Sequence, residues 1–215
     1  SLNMMQLEAT PQGTLVRAAV SLPYPMERAQ LLADRGALRA FVRQALDGAP
    51  FVGRRMFGAL SPGDVRILPL TVTVPAGHSE EQAIARAVRE QVGAGVTDSV
   101  VDYYQVRSTE ADAGAEKQVL AAVAPGGAVT AYLEALRGAG LDPVALDIGP
   151  AAIARLLAAM HHKDHSQSVL LINFGAQRSY LTVIWGRRLM LDREIDFGEV
   201  QLVAKLARTL GLDQT

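Results

Sequence analysis

The chain of 215 residues contains no cysteine, which excludes disulfide bonds, zinc sites built on thiolates and thiol catalysis. It lacks any apolar run near the roughly 18 residues that a helix needs to cross a membrane. Its start also lacks a signal-peptide pattern. From these absences we predict that no segment of the chain spans a membrane.

Neither sign of charge dominates the sequence. The 21 basic and 22 acidic side chains give a net charge of −1, so there is no electrostatic signature of nucleic-acid binding. A hydrophobic fraction of 49% with 20% charged residues is ordinary for a globular protein and excludes a disordered chain. We therefore expect a folded protein of one large or two modest domains that does not bind nucleic acid.

The start of the chain has the pattern of two strands, a helix and a short strand. Residues 1–8 and 14–21 read as strands around a turn that contains Pro11. A helix follows, and residues 56–60 form a short buried strand. The apolar face of the helix carries four residues at i, i+3, i+4 and i+7, namely Leu38, Phe41, Val42 and Ala45.

Residues 64–147 have the pattern of a small α+β module. Ser79 and Gln82 form a capping box that begins a helix, and Pro69 places its strand at a sheet edge or a bulge. The module's strands are predicted at 65–74, 100–106, 118–124 and 143–146. With a second helix ending at Gly140, the order strand, helix, strand, strand, helix, strand predicts a ferredoxin-like arrangement.

A further helix is predicted to begin at Gly149 and Pro150, because proline is tolerated in the first helical turn. Its buried side is predicted to carry Ile153, Leu156, Leu157 and Met160. The polar segment after it contains His161, His162, Asp164 and His165, at spacings that could seat a metal on a helix. Because the segment follows a helix end and is rich in polar residues, a solvated loop is the favoured interpretation.

Residues 168–211 predict a hairpin, a third strand at 188–195 and an amphipathic helix that begins after Gly198. The hairpin turn contains Gly175, and amides that converge on such a turn can hold an anion. The same geometry also serves as a plain hairpin, so the pattern alone leaves both interpretations open.

Several segments in order carry a resemblance to a known family. They are residues 66–70, 74–75, 79–81, 101–106, 139–147, 171–183, 193–195, Gly198 and 201–202. Together they resemble the PilM family of type IV pilus assembly proteins, which are actin-like proteins related to the cell-division protein FtsA. The closest single match is the segment Ala139-Gly140-Leu141 with Pro143 and Asp147.

The resemblance implies an α/β fold of actin-like (ribonuclease H-like) layers with an inserted, small, ferredoxin-like α+β module. Residues 1–63 would form the first actin-like subdomain, and 64–147 the inserted module. Residues 148–166 would return to the first subdomain and hinge, and 167–215 would begin a second lobe that is incomplete.

The resemblance also implies two sites. A cleft for ATP and magnesium would be formed by Asn173, Gly175, Ala176, Gln177, Ser179 and Gly198. A groove for the cytoplasmic tail of a PilN-like bitopic inner-membrane protein would be formed by Arg66, Leu68, Leu70, Ala83 and Ala87. The implied protein is a cytoplasmic scaffold at the inner face of the inner membrane, able to form a homo-oligomeric ring, and no residue is assigned a catalytic role.

Departures from the family pattern predict weak or absent nucleotide binding. The family's first phosphate turn, an Asp-x-Gly that would lie before Ser1, is not part of this sequence, and Asn3 stands at the position of a common lysine. Asn173 replaces an aspartate, and an amide offers a hard cation less charge than a carboxylate. Glu199 replaces a glycine, and the half that would grip adenosine would follow Thr215.

Three alternatives to a pilus scaffold share the predicted fold. One is the cytoplasmic domain of a type II secretion protein, and another is a division-type actin-like protein. The third is an active ATPase or kinase of the same superfamily. Fold alone does not choose among them, because one fold hosts many functions.

Overall fold

The structure is a computed structural model of the chain, and it describes residues 1–93, 98–107, 116–160, 168–185 and 188–211. The strands in these residues are β1 (Leu2–Thr10), β2 (Gly13–Leu22), β3 (Arg55–Leu60), β4 (Arg66–Thr73), β5 (Ser99–Arg107), β6 (Glu116–Pro125), β7 (Asp142–Ile148), β8 (Ser168–Phe174), β9 (Ser179–Trp185) and β10 (Arg188–Ile195). The helices are α1 (Arg28–Ala33), α2 (Arg35–Asp47), α3 (Glu80–Val92), α4 (Gly126–Gly138), α5 (Gly149–Met160) and α6 (Glu199–Leu210).

The chain forms two compact units. The first contains Ser1–Ala59 and Gly127–Leu146, and the second contains Leu60–Gly126 and Asp147–Thr215. Within the part of the chain that the structure describes, no helix has both the length and the hydropathy needed to cross a membrane.

The first unit is built around α2. Its predicted apolar face is confirmed, since Leu38, Phe41, Val42 and Ala45 are all buried. Leu136 of α4 packs into the same core. The antiparallel hairpin β1–β2 and the two-stranded sheet β3–β7 complete the unit.

Asp34 divides the helix that the sequence predicted as one element. Its backbone is extended, with φ −96° and ψ 98°, and this conformation ends α1. Its carboxylate then accepts hydrogen bonds at 2.9 Å from the N–H groups of Gly36 and Ala37. The side chain thus satisfies two N–H groups that the first turn of α2 would otherwise leave unpaired.

The second unit is layered around β6, the central strand of a sheet with the order β4–β6–β5. Both pairs are antiparallel. Six consecutive residues of β6 are buried, from Val119 to Ala124. A strand reads as a continuous apolar run when both faces of its sheet are covered. Here α3 covers one face, and α5 with β9 and β10 packs on the other.

The predicted module is present with three strands of one sheet instead of four. β4, β6 and β5 lie in the order expected of a ferredoxin-like unit, but β7 pairs with β3. Leu136, Leu141 and Leu146 of the α4–β7 segment pack with the core of α2, which assigns this segment to the first unit. The predicted place of the last strand in the module's sheet is therefore corrected, because a local pattern does not specify which sheet a strand joins, while the domain boundaries at 64–147 stay a prediction.

The predicted buried face of α5 is correct in part. α5 lies in the second unit, where Ala154 packs near Ile184, and the assignment of 148–166 to the first subdomain stays a prediction. Of its four predicted buried residues, Ile153 and Leu157 pack against the core, while Leu156 and Met160 are 59% and 63% exposed. The fully buried positions are Ala151, Ala154 and Ala158. The sequence analysis placed all four large apolar side chains of α5 on its buried face. The helix instead turns its alanines fully inward, and their small side chains let α5 pack close to the sheet.

We expect Ile84→Ala to lower the free energy of unfolding by about 2–5 kcal/mol, since Ile84 is 1% exposed between α3 and the sheet. Gln91→Ala, at an exposed position of the same helix, is the control and should change this free energy by less than about 0.5 kcal/mol. Urea denaturation measures both, and equal effects would contradict the assigned core.

Candidate functional site

The hairpin turn between β8 and β9 lies against the start of α6. The carbonyl oxygen of Gly175 accepts a hydrogen bond from the N–H of Glu199 at 3.0 Å. The carbonyl oxygen of Ala176 accepts one from the N–H of Val200 at 2.9 Å. Two backbone acceptors of the turn thereby cap the first turn of α6.

Side chains fix the same junction. The Gln201 amide accepts from the N–H of Gly198 at 2.9 Å and donates to the carbonyl of Gln177 at 3.2 Å. The hydroxyl of Ser179, which is 3% exposed, donates to the carbonyl of Phe197 at 2.6 Å. The turn and the helix are therefore joined by hydrogen bonds from both backbone and side-chain groups.

These contacts bear on phosphate binding. A helix N-terminus holds an anion through its unpaired N–H groups. In α6 the N–H groups of Gly198, Glu199 and Val200 already have acceptors. By contrast, the N–H groups of Ala176 and Gln177 make no hydrogen bond within the described chain. If an anion binds here, the turn itself and not α6 must supply the amides.

Five of the six predicted nucleotide-site residues meet at this junction, namely Gly175, Ala176, Gln177, Ser179 and Gly198. Asn173 lies two residues before the turn, exposed on β8 and opposite Tyr180. The sequence thus predicted the junction, while a role in binding nucleotide stays a prediction. Ser179 and Gly198 have structural roles here that the sequence analysis did not anticipate.

Carboxylates on the neighbouring strands were missed by the sequence analysis. Glu194 forms an ion pair with Arg178 at 2.6 Å and accepts from the Tyr180 hydroxyl at 3.0 Å. Burial and this hydrogen bond raise the pKa of Tyr180. Asp192 accepts from the Thr182 hydroxyl at 2.6 Å, and burial raises the pKa of Asp192. The alternation of polar residues along β9 and β10 was the signal for these cross-strand pairs.

We expect Gly198→Ala to destabilise the turn–helix junction by about 1–3 kcal/mol, because a Cβ there would lie 2.5 Å from the Gly175 carbonyl oxygen. Gly149→Ala is the control in the same unit, since a Cβ at Gly149 meets nothing within 4 Å. Denaturant unfolding of the two variants provides the comparison. An unchanged free energy of unfolding for Gly198→Ala would contradict the close contact between the backbones of Gly198 and Gly175.

The predicted peptide groove is largely core. Leu70 and Ala83 are 7% and 8% exposed and pack between α3 and the sheet. Leu68 and Ala87 are partly buried against the same cluster. Of the five predicted residues, Arg66 alone is exposed. The prediction that Leu70 and Ala83 line a groove is corrected, because α3 covers that face of β4.

One edge of the β4 backbone has no partner strand within the described residues. β4 is the last strand of its sheet, and in the described residues it pairs only with β6. Proline has no N–H to donate, so its nitrogen belongs on the edge that faces away from the ladder. Pro69 therefore indicates that Ile67, Thr71 and Thr73 also direct their backbone groups outward. This confirms the predicted edge position of Pro69.

Glu80 ties α3 to the strands β6 and β5 of the same sheet. Its carboxylate accepts from Lys117 at 2.6 Å and from the Gln105 amide at 2.8 Å. The hydrogen bond from Lys117, and then that from Gln105, lowers the pKa of Glu80. The predicted capping box of Ser79 and Gln82 is confirmed beside it and begins α3.

Because the pKa of Glu80 is lowered on folding, its contribution to stability is present above its ordinary value of 4.5 and is lost on acidification. We expect Glu80→Gln to lower the free energy of unfolding by about 1 kcal/mol at pH 7, a figure reduced because the ion pair is partly exposed. The loss should become progressively smaller as the pH falls below 4.5. Urea unfolding across this pH range tests the sign. Glu116→Gln, an exposed neighbour, is the control, and a deficit that grows on acidification would contradict the assignment.

The described residues contain no group of three or more acidic or histidine side chains placed to hold a metal ion. The predicted segment with His161, His162, Asp164 and His165 lies outside the residues that the structure describes. The features on which a function can rest are thus the turn–helix junction and the free edge of β4. They define an α/β protein with a glycine-containing hairpin turn that caps a helix, and with an exposed edge strand.

The chain belongs to the PilM family, whose sequence model, "Type IV pilus assembly protein PilM", matches residues 6–215. A chain of the solved PilM–PilN type IV pilus biogenesis complex is 27% identical and superposes with a TM-score of 0.78. The match covers 98% of this chain and 63% of that chain, so this sequence spans under two thirds of its relative. It confirms the predicted α/β, actin-like fold of this family.

A second solved structure, from Bacteroides thetaiotaomicron, is described as a protein with an actin-like ATPase fold and unknown function. It is 9% identical, with a TM-score of 0.43, over 99% of this chain and 74% of its own. A likeness of this size supports no statement about the present chain. No curated protein sequence matches the chain.

Proposed function

We propose that this chain is part of a type IV pilus scaffold that binds the cytoplasmic tail of a PilN-like inner-membrane protein along the outer edge of β4. The observation that carries the proposal is this free edge, with outward backbone groups at Ile67, Thr71 and Thr73. An extended peptide that adds to a sheet edge gains main-chain hydrogen bonds without needing a deep pocket.

Membership of the PilM family supports the pilus assignment, and the solved relative is in complex with PilN. In this proposal the scaffold lies in the cytoplasm at the inner membrane, where such a tail is accessible, and several copies assemble as a ring. The scaffold performs no catalysis. Its work is to hold a flexible tail in a fixed position.

Arg66 and the outward amides have separate roles in the proposed site. Arg66 is exposed at the start of β4 and can pair with a carboxylate of the tail. The amides of Thr71 and Thr73 would donate to tail carbonyl groups. Leu68, Leu70, Ala83 and Ala87 hold the strand in place from beneath and do not contact the tail.

We expect Thr71→Pro to weaken binding of a synthetic cognate PilN tail peptide about tenfold, because it removes one outward N–H while leaving the β4–β6 ladder intact. Thr71→Val keeps the N–H and is the matched control. Isothermal titration calorimetry measures both affinities, and circular dichroism checks that Thr71→Pro folds. Equal affinity of the two variants for the peptide would refute the edge site.

Nucleotide is not required in this proposal. The capped N-terminus of α6 and the amide of Asn173 support weak or absent binding of ATP and magnesium. A ligand present at 100 times its dissociation constant would raise the unfolding free energy by about 2.7 kcal/mol. We expect millimolar ATP with magnesium to leave the thermal unfolding midpoint unchanged, and a clear rise would restore the nucleotide-binding interpretation.

A further inference from the structure

The exposed face of α2 carries a row of charged residues with a regular spacing. Arg35, Arg39, Arg43 and Asp47 follow one another every four residues, and all four are exposed. Residues four apart on a helix are neighbours that rise about 6 Å along the axis. The row therefore presents three positive charges and then one negative charge over about 18 Å.

The three arginines form no ion pair with another part of the described chain. Within the described chain, no carboxylate forms an ion pair with Arg35, Arg39 or Arg43. Asp34, the nearest acid in sequence, uses its carboxylate to cap α2. A guanidinium group holds a carboxylate by two parallel hydrogen bonds, and such a fork is suited to recognition at a surface.

A second row, formed mostly by residues with small side chains, lies beside the charged row on α2. Gly36, Ala40, Gln44 and Gly48 are also spaced by four, and three of them have little or no side chain. From Gly36 to Gly48 the two rows line a shallow, open groove on the surface of α2 in the first unit. Rows spaced by four form the ridges and grooves through which helices most often pack. A helical ridge fits this groove better than a flat surface does.

We propose that the face of α2 formed by the row Arg35, Arg39, Arg43 and Asp47 is a docking site for an acidic amphipathic helix of a partner protein. The complementary ridge carries three carboxylates spaced by four residues, followed by a cation that pairs with Asp47. A uniformly anionic membrane or nucleic acid does not match the row, because Asp47 would repel it.

This site is independent of tail binding. It uses side chains of the first unit, whereas the proposed tail site uses the backbone of β4 in the second unit. The two proposals can therefore fail separately.

The test uses a synthetic alanine-based helical peptide with Glu at three positions spaced by four and Lys four residues further on. Amide chemical shifts of the whole chain are followed by NMR as the peptide is added at low salt. We expect shift changes confined to residues 35–48, and about fivefold to tenfold weaker binding by the double variant Arg39→Gln/Arg43→Gln. Raising the salt to about 0.5 M should weaken binding further, since salt screens exposed charges.

The control is the double variant Arg54→Gln/Arg137→Gln, which changes the net charge equally at two other exposed arginines of the first unit. It should bind the peptide as the parent chain does, and the same peptide with Gln for Glu should not bind. Equal weakening by both double variants would mean non-specific attraction and would overturn the proposal. The proposal would also be overturned if the chain bound vesicles of anionic phospholipid in preference to the peptide and the variant Arg39→Gln/Arg43→Gln lost this vesicle binding.

Discussion

The second unit depends on the burial of β6 on both faces. Val119, Ala121 and Val123 face α3, while Leu120 and Ala122 face the layer that contains α5. The small side chains of β6 allow layers to pack closely on both sides, and burial of this apolar surface is the dominant stabilising term. Because β6 is central, β4 and β5 are the outer strands. The free edge on which the proposed function rests therefore follows from this packing.

The turn–helix junction illustrates how one sequence pattern can have two physical uses. A glycine turn beside a helix start is typical of phosphate sites, since both elements offer N–H groups. In this chain the turn presents the carbonyl groups of Gly175 and Ala176 to the helix, and they accept hydrogen bonds from the N–H groups of Glu199 and Val200. Gly198 is needed for close approach of the two backbones. These contacts make the junction a structural cap, while the N–H groups of Ala176 and Gln177 stay unpaired within the described chain.

Local features were predictable from the sequence. The capping box at Ser79 and Gln82, the buried face of α2 and the edge position of Pro69 all follow from short-range rules, and the structure confirms them. These rules concern hydrogen bonds and periodicity within a few residues. The family, and with it the fold, was also recognisable from the order of short segments.

Long-range packing was not predictable in the same way. Which sheet β7 joins depends on residues far away in sequence, and so does the burial of Leu70 and Ala83 beneath α3. An apolar side chain is equally consistent with a core and with a groove until its neighbours are known. The four-residue spacing of the charges on α2 was readable, but its importance depends on knowing that no acid in the described chain pairs with the arginines.

The central claim is that the outer edge of β4 receives the tail of a PilN-like partner. Residue-resolved amide hydrogen exchange, with and without the cognate tail peptide, tests it most directly. The account predicts new protection at Ile67, Thr71 and Thr73, whose N–H groups face away from β6. Protection that appears elsewhere, with these three amides still exchanging as in the free chain, would contradict it.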